Sequence, residues 1–486
     1  MMASSVLFKN ATVVTMDEAV GVLEHCDVLI EGNIIKCVGC SLERPSAETV
    51  VIDGTNSILS PGFVDTHRHV WQQQLRTIAG DFTIFEYGAN IRNKFGSCYT
   101  SHDVYLAELC GALESIDAGT TCLLDHSHIM NSPAHSNAAV AGLRASGIRG
   151  VFCYGAYPNP VFANPAVSDG SAEHRTDDWR REDAKRVREE HFASNGPDSL
   201  LRFGYAPTEM ERTPLEQTIE EIRFGQSIGS ALITGHVAMG PLDRGIHLVR
   251  SLDDQSLLDS RMLLSHGASL TPAELTALAN SGASVSSTPS TELQMGMGLP
   301  VAFKAESHGC TASIGADITS NNPADMFDQM RLLLQCQRYV DAGDVPPCPQ
   351  TLNRRCAQVL RMATVGGSKG MGLEALTGTI TPGKRADMIL TRCDSLRMTP
   401  VHDPVIALVM YAHSSDITHV LVDGAVLKSE GELQLPYLQR DGKEASLPKL
   451  LKDLRTSAEG ILERSKLVAE AERAKSVREY FKHSGT

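Results

Sequence analysis

The rhythm of apolar and polar residues changes at about residue 58. Before it, SVLFKNATVVTM, DVLIEGNIIKCVG and ETVVIDGTNSIL are short β-type runs broken at Gly32-Asn33 and Asp53-Gly54. Those breaks predict a small antiparallel sheet joined by tight turns. Beyond residue 58, short apolar runs end in polar groups and alternate with longer helix-like stretches. Eight of them lie between residues 58 and 319: ILSPGFVDTHRH, GTTCLLDHSH, GIRGVFCYGAY, LLRFGYAPTE, ALITGHVAMG, MLLSHGASL, GASVSSTPS and GCTASIGADIT. Continuous apolar character marks strands covered on both faces, as parallel strands under crossover helices are, and eight such units close into a barrel. After a helix-like stretch at 324–374, strand patterns return in LTGTITPGKRADMILTRCD and ITHVLVDGAVLKSEGEL.

The expected fold is therefore α/β: a TIM-type (β/α)8 barrel over residues 58–374, inserted into a small β-sandwich built from 1–57 and 375–440. A helical extension over 441–486 follows, with Leu447, Leu450, Leu451, Leu454, Ala458, Ile461 and Leu462 on one face. Between the third and fourth runs, HRTDDWRREDAKRVREEHF reads as a solvated charged helix.

Composition narrows the function. The chain has 486 residues, 42% hydrophobic and 21% charged, the balance of a globular protein. With 44 Lys+Arg against 58 Asp+Glu, its net charge of −14 repels phosphate backbones and anionic lipid, so neither nucleic acid nor membrane is an expected partner. No apolar run reaches the roughly 18 residues of a membrane helix, and the first residues carry no secretory pattern. Twelve scattered cysteines in a chain of this size read as reduced thiols, which places the expected protein in the cytoplasm. Cys37-x-x-Cys40 has no second pair to complete a zinc tetrad and reads as two strand residues.

The polar groups that end the runs carry the chemistry. His67 and His69 alternate at the end of the first run, so both imidazoles face one side of a strand. His-x-His alone is a weak signal. Here His236 ends the fifth run, His266 the sixth and Asp317 the eighth, so a barrel gathers five ligands or proton carriers at the rim where such folds keep their active sites. His126 and His128 repeat the His-x-His alternation at the end of the second run and are expected to contact substrate. So is Trp71, which with Gln72–Gln74 is expected at the pocket mouth.

PGFVDTHRH, HGASLTPAEL, GADITSNNPADMFDQMR and GTITPGKRADMIL, together with the split sandwich, resemble the amidohydrolase superfamily. The likeness is nearest to its branch of cytosine, guanine and adenosylhomocysteine deaminases and triazine chlorohydrolases. That resemblance implies one divalent metal, zinc or ferrous iron with zinc expected, held by His67, His69, His236 and Asp317. It implies Asp317 as general base, His266 as the partner of the developing oxyanion, and a homo-oligomer, with a dimer favoured. Two-metal relatives carry a lysine on the fourth strand; LLRFGYAPTEMERT has none, so a single metal is expected.

One position departs from the branch. Its deaminases have a Glu three residues after the fifth-strand His, which protonates the substrate ring; here that residue is Met239. Glu292 and Glu209 are the candidate substitutes, and Met239, Met295 and Met297 are candidates for an apolar wall. The expected activity is hydrolysis of a non-peptide C–N bond in a small cyclic substrate, by deamination of a cyclic amidine or lactam-type ring opening. The alternatives are a metal-dependent lyase such as a decarboxylase, and a binding protein without catalysis.

Overall fold

The computed structural model describes residues 5–160, 179–243, 245–343, 349–438 and 446–468, with 470, 475, 477 and 478. All eight apolar runs are strands of one parallel sheet: Phe63–His69, Thr120–Ser127, Arg149–Gly155, Leu201–Ala206, Ile233–Val237, Met262–His266, Ser284–Ser287, and an eighth divided into Thr311–Ile314 and Asp317–Ile318. The division closes the ring. Its first half pairs with the seventh strand, Thr311 opposite Ser284, and its second half with the first strand, Asp317 opposite Arg68. Gly315 sits at the crossover, where a Cβ would lie 2.7 Å from the His67 carbonyl oxygen and 2.8 Å from its nitrogen. Only glycine allows the eighth strand to pass this close to a residue of the rim.

Covering helices begin where the sequence places caps. Thr100 with Asp103 and Thr271 with Glu274 form capping boxes for Ser101–Asp117 and Pro272–Ser281. The charged helix after the third strand spans Trp179–His191 and buries Asp183, Ala184 and Val187, so one face packs and the other is solvated. The HRTDD part of that reading lies outside the described residues.

The two chain ends meet in a second sheet, whose central contact pairs Ser57–Pro61 antiparallel with Met388–Arg392. Val6, Phe8, Val28, Ile30, Leu59, Met388 and Leu390 give it a core of its own. It is mixed rather than antiparallel: Val50–Asp53 and Ser57–Pro61 both run parallel to Ser5–Val14. The segment between Gly39 and Val50 carries the chain back across the sheet instead of turning tightly. Arg149 ties this sheet to the barrel, with Nε 2.6 Å from Asp387 Oδ2 and Nη2 2.6 Å from Asp423 Oδ1.

The C-terminal helix, Leu447–Lys466, buries Ser457, Ile461 and Ser465, so that of the expected apolar face Ile461 is fully buried and Leu450 only packs against the core. Polar anchoring sets that rotation: Ser457 Oγ donates to Asp103 Oδ1 at 2.6 Å and Arg464 Nε to the Cys98 carbonyl at 2.7 Å. Leu447, Leu451 and Leu462 stay exposed. No described helix is long and apolar enough to cross a membrane.

Candidate active site

Seven residues from five strands meet at the carboxyl rim of the barrel. His67 and His69 come from the first strand, His126 and His128 from the end of the second, His236 from the fifth, His266 from the sixth and Asp317 from the eighth. None is more than 7% exposed. The alternation read from the sequence puts the His67 and His69 rings 4.8 Å apart, centre to centre.

Asp317 Oδ1 lies 3.4 Å from His67 Nε2 and 3.4 Å from His69 Nε2, and His69 Nε2 lies 3.3 Å from His236 Nε2. The far nitrogen of each ring is held. His69 Nδ1 lies 2.7 Å from the His126 carbonyl oxygen, which only accepts, so Nδ1 carries the proton and Nε2 presents a lone pair. His236 Nδ1 donates to both Glu209 oxygens, at 3.1 and 3.2 Å, and His67 Nδ1 pairs with Ser265 Oγ at 2.7 Å. His67 Nε2 is buried without a hydrogen-bond partner.

Lone pairs and a carboxylate facing one another at this range repel unless a cation lies among them. Ligands about 2.0–2.1 Å from a tetrahedral ion stand about 3.3–3.4 Å from each other, which is the spacing found. The donor set therefore fits a divalent metal. The backbone is strained to deliver it: His266 has φ 74° and Asp317 φ 63°, in the left-handed region that non-glycine residues rarely enter.

The sequence profile described as the amidohydrolase family matches residues 234–427. A 5'-deoxyadenosine deaminase from Methanosarcina mazei is 28% identical over 447 residues, 91% of this chain and 97% of that protein. A 5-methylthioadenosine/S-adenosylhomocysteine deaminase from Shouchella clausii is 26% identical over 90% of this chain and 98% of its own length. Among solved structures, a zinc-bound adenosine deaminase from Xanthomonas campestris superposes with TM-score 0.79 at 21% identity, covering 94% of this chain and 98% of that one. An atrazine chlorohydrolase from Arthrobacter aurescens, solved with zinc, gives TM-score 0.76 at 22% identity over 93% and 100%. The chain is thus similar to the amidohydrolase family over residues 234–427 and shares the fold of these structures over nearly its whole length.

The rim opens into a pocket of about 440 Å³, solvent at its mouth included, lined by His69, His128, His236, His266 and Asp317 among others. Met239 and Met297 line it as the sequence suggested; Met295 does not. His266 Nδ1 lies 3.1 Å from Thr288 Oγ1 and 3.5 Å from Glu292 Oε1, an arrangement that fixes the ring at the cavity edge. The ring nitrogens of His126 and His128 have no hydrogen-bond partner. His128 lines the cavity, whereas His126 sits deeper, its donor atoms within 4.8 Å of those of His67, His69 and His236.

Two expected substrate contacts are corrected. Trp71 is fully buried and packs edge-on against Tyr99, 5.4 Å between ring centres, behind His128 rather than at the mouth. The tight turn Val70–Leu75 folds it inward, and Gln72 goes with it, donating to Tyr87 Oη at 2.6 Å. Glu292 is also fully buried; it accepts from the Thr288 nitrogen at 2.8 Å and backs His266, so it supports the site without lining the cavity.

Four charged residues were missed or undervalued. Glu209 lines the cavity; burial opposes its ionisation, but His236, Arg212 and Arg92 hold its pKa at about 2. It is an orienting carboxylate rather than an acid. Arg92 and Arg212 line the cavity as well. Glu211 accepts from the Ala238 nitrogen at 2.6 Å, its other oxygen has no partner, and burial pushes its pKa up to about 7. The cluster TEMER after the fourth run was the available signal for Glu211 and Arg212. Arg92, in the unremarkable stretch NIRNKF, had none.

Proposed function

We propose that this chain is a metal-dependent hydrolase that cleaves a non-peptide C–N bond in a small cyclic substrate, through deamination of a cyclic amidine or lactam-type ring opening. The observation that carries the reading is a chain of three contacts at 3.3–3.4 Å, from His67 Nε2 to Asp317 Oδ1, from Asp317 Oδ1 to His69 Nε2, and from His69 Nε2 to His236 Nε2. His67, His69, His236 and Asp317 would hold one divalent cation, zinc by the chemistry of the donors and by the company of zinc-bound structural neighbours. When bound, such an ion supplies a Lewis acid that brings the pKa of water to near neutrality.

The chain supplies the proton handling and positioning. Asp317, whose carboxyl the surrounding imidazoles hold far below the ordinary range against the opposing effect of burial, takes a proton from the attacking water and delivers it to the departing nitrogen. His266, fixed through Nδ1 by Thr288 and Glu292, directs its ring at the oxygen that gains charge. Met239 in the cavity wall cannot protonate a ring nitrogen, and Glu209 is committed to His236. A deamination that depends on a carboxylic acid at position 239 is therefore closed to this chain; substrates that need no such acid are open to it.

The test is direct. Zinc near one equivalent per chain, with ammonia release or ring opening from a panel of cyclic amidines, purines, pterins and lactams, supports the reading. His67→Ala and Asp317→Asn should each lose the metal and the activity while keeping the metal-free melting temperature within a few degrees. Carbon dioxide release without ammonia would move the chain to the lyases, and absence of bound metal would sink the hydrolase.

A further inference from the structure

Arg92 is a buried cation that feels the Glu209 carboxylate through space but makes no ion pair with it. It is 3% exposed, and its Nε and Nη1 have no hydrogen-bond partner. Among the described residues no carboxylate lies within ion-pair range of it. The other deeply buried arginines differ. Arg149 pairs with Asp387 and Asp423, and Arg68 lies 3.4 Å from Glu114, while Arg202 donates to the Met371 carbonyl at 2.6 Å. A buried guanidinium left unpaired costs several kcal/mol in ordinary packing, so its retention calls for a partner that comes and goes.

The surroundings fix where that partner binds. The guanidinium carbon stands 5.0 Å from the Tyr157 ring centre and 5.9 Å from that of Trp71, so two aromatic faces hold it. It lines the same 440 Å³ cavity as His128 and the imidazole cluster. Arg92 lies on the π-helical segment Gly88–Phe95, a geometry that departs from the regular helix and occurs often at functional sites. The acidic groups lining the cavity are engaged: Glu209 by His236, Asp317 by the imidazoles. Two guanidiniums and two carboxylates leave the lining neutral; with a divalent cation in the cluster it becomes positive.

We infer that the substrate is a cyclic molecule bearing a carboxylate, and that Arg92 receives the carboxylate through its planar fork while the C–N bond lies against the imidazole cluster. A guanidinium pairs bidentately with a carboxylate, which a lysine cannot reproduce. The inference rests on the cavity being the substrate site, and it sharpens the proposed function from any small cyclic substrate to an anionic one.

Matched probes test it: pterin against pterin-6-carboxylate, and 2-pyrrolidone against 5-oxoproline. Binding is read by calorimetry and thermal shift on zinc-loaded and on metal-free protein, so that a carboxylate caught by the metal is told apart from one caught by Arg92. The expected result is at least tenfold tighter binding of one carboxylate member in both metal states. Arg92→Met should abolish that preference, and Arg92→Lys should retain only part of it. Arg92→Met should also leave the ligand-free melting temperature unchanged or higher, because it removes an unpaired charge. Equal affinity for both members of each pair, a preference that survives Arg92→Met, or a fall of several degrees in that variant would each overturn the inference. If neutral substrates are hydrolysed and Arg92→Met is fully active, the inference fails while the hydrolase stands. If carboxylates bind through Arg92 but none of the panel is turned over, the reverse holds.

Discussion

Glu209→Gln isolates the support of the metal cage from the cage itself. The glutamine keeps an acceptor for the His236 Nδ1 proton, so the ring orientation is preserved, but the charge behind that hydrogen bond is lost. In the structure both carboxylate oxygens share that proton at 3.1 and 3.2 Å, and the side chain is 12% exposed, so little water can compensate. Charge-assisted hydrogen bonds contribute about 1.5–3 kcal/mol against about 0.5–1.5 for neutral ones. A loss of about 1–1.5 kcal/mol is expected, or roughly a tenfold weaker zinc affinity, at the lower end of what such supporting partners contribute. With zinc at about 100 times the wild-type Kd, the stabilisation of about 2.7 kcal/mol should fall to about 1.4. For 486 residues the unfolding entropy is about 1 kcal/mol per degree, so the zinc-dependent rise in Tm should shrink by about 1–1.5 °C. Competition with a calibrated chelator gives the affinity and scanning calorimetry the Tm, each with the metal-free protein as control. Unchanged zinc affinity would refute the orienting role. A loss beyond about a thousandfold would refute it from the other side, by making Glu209 a ligand in its own right.

Three further outcomes follow from local geometry. Burial raises the Glu211 pKa from 4.5 to about 7, so between those values the folded chain holds a proton that the unfolded chain releases, and stability falls as pH rises through that window. Glu211→Gln keeps the Ala238 hydrogen bond and should raise Tm at pH 8 by up to about 3 °C, from a ceiling of about 3 kcal/mol, with no gain at pH 4; an equal shift at both values would exclude ionisation as the cause. Arg149→Met leaves the buried Asp387 without its cation, while Asp423, 26% exposed, keeps Arg385 at 3.7 Å, and should cost about 3–5 kcal/mol in calorimetry; a change under 1 kcal/mol would mean that the pair does not fasten the two sheets. Gly315→Ala forces a Cβ against the His67 backbone at 2.7–2.8 Å and the His67 Cβ at 2.9 Å, so zinc content should fall along with Tm; full zinc occupancy would show that the crossover can yield without moving His67.

The barrel was legible because parallel strands covered on both faces leave continuous apolar runs, and because the rim groups follow those runs directly. All eight runs became strands, with His67, His69, His236, His266 and Asp317 at their expected ends. What could not be read was depth. Trp71 stands two residues from His69 in the chain, yet the turn after the strand drives it behind the site, a consequence of tertiary packing against Tyr99. Glu292 and Glu209 looked alike as carboxylates near strand ends; only the ring of neighbours separates one behind His266 from one facing the cavity. Arg92 has no periodicity or spacing to mark it. Its burial is made by Trp71 and Tyr157, which lie 21 residues before it and 65 after it.

The site also accounts for a conflict between the chain's charge and its proposed ligand. A net charge of −14 repels an anion from outside, but at physiological ionic strength that field is screened over a Debye length of about 8 Å. Inside a narrow pocket lined by buried groups screening is weaker, and fixed charges a few ångströms away decide the outcome. Arg92, Arg212 and a dication among the imidazoles then outweigh the whole acidic surface. The same enclosure carries a cost before anything binds: opposed lone pairs, an unpaired guanidinium, and left-handed backbone at His266 and Asp317 that costs about 1–3 kcal/mol per residue. The cation and the substrate anion each relieve a different part of that cost. Zinc should therefore raise Tm more in the presence of a bound carboxylate than the two separate shifts would add up to, as coupling through a shared cavity requires. Strict additivity of the two shifts would mean that the imidazole cluster and Arg92 serve separate ligands.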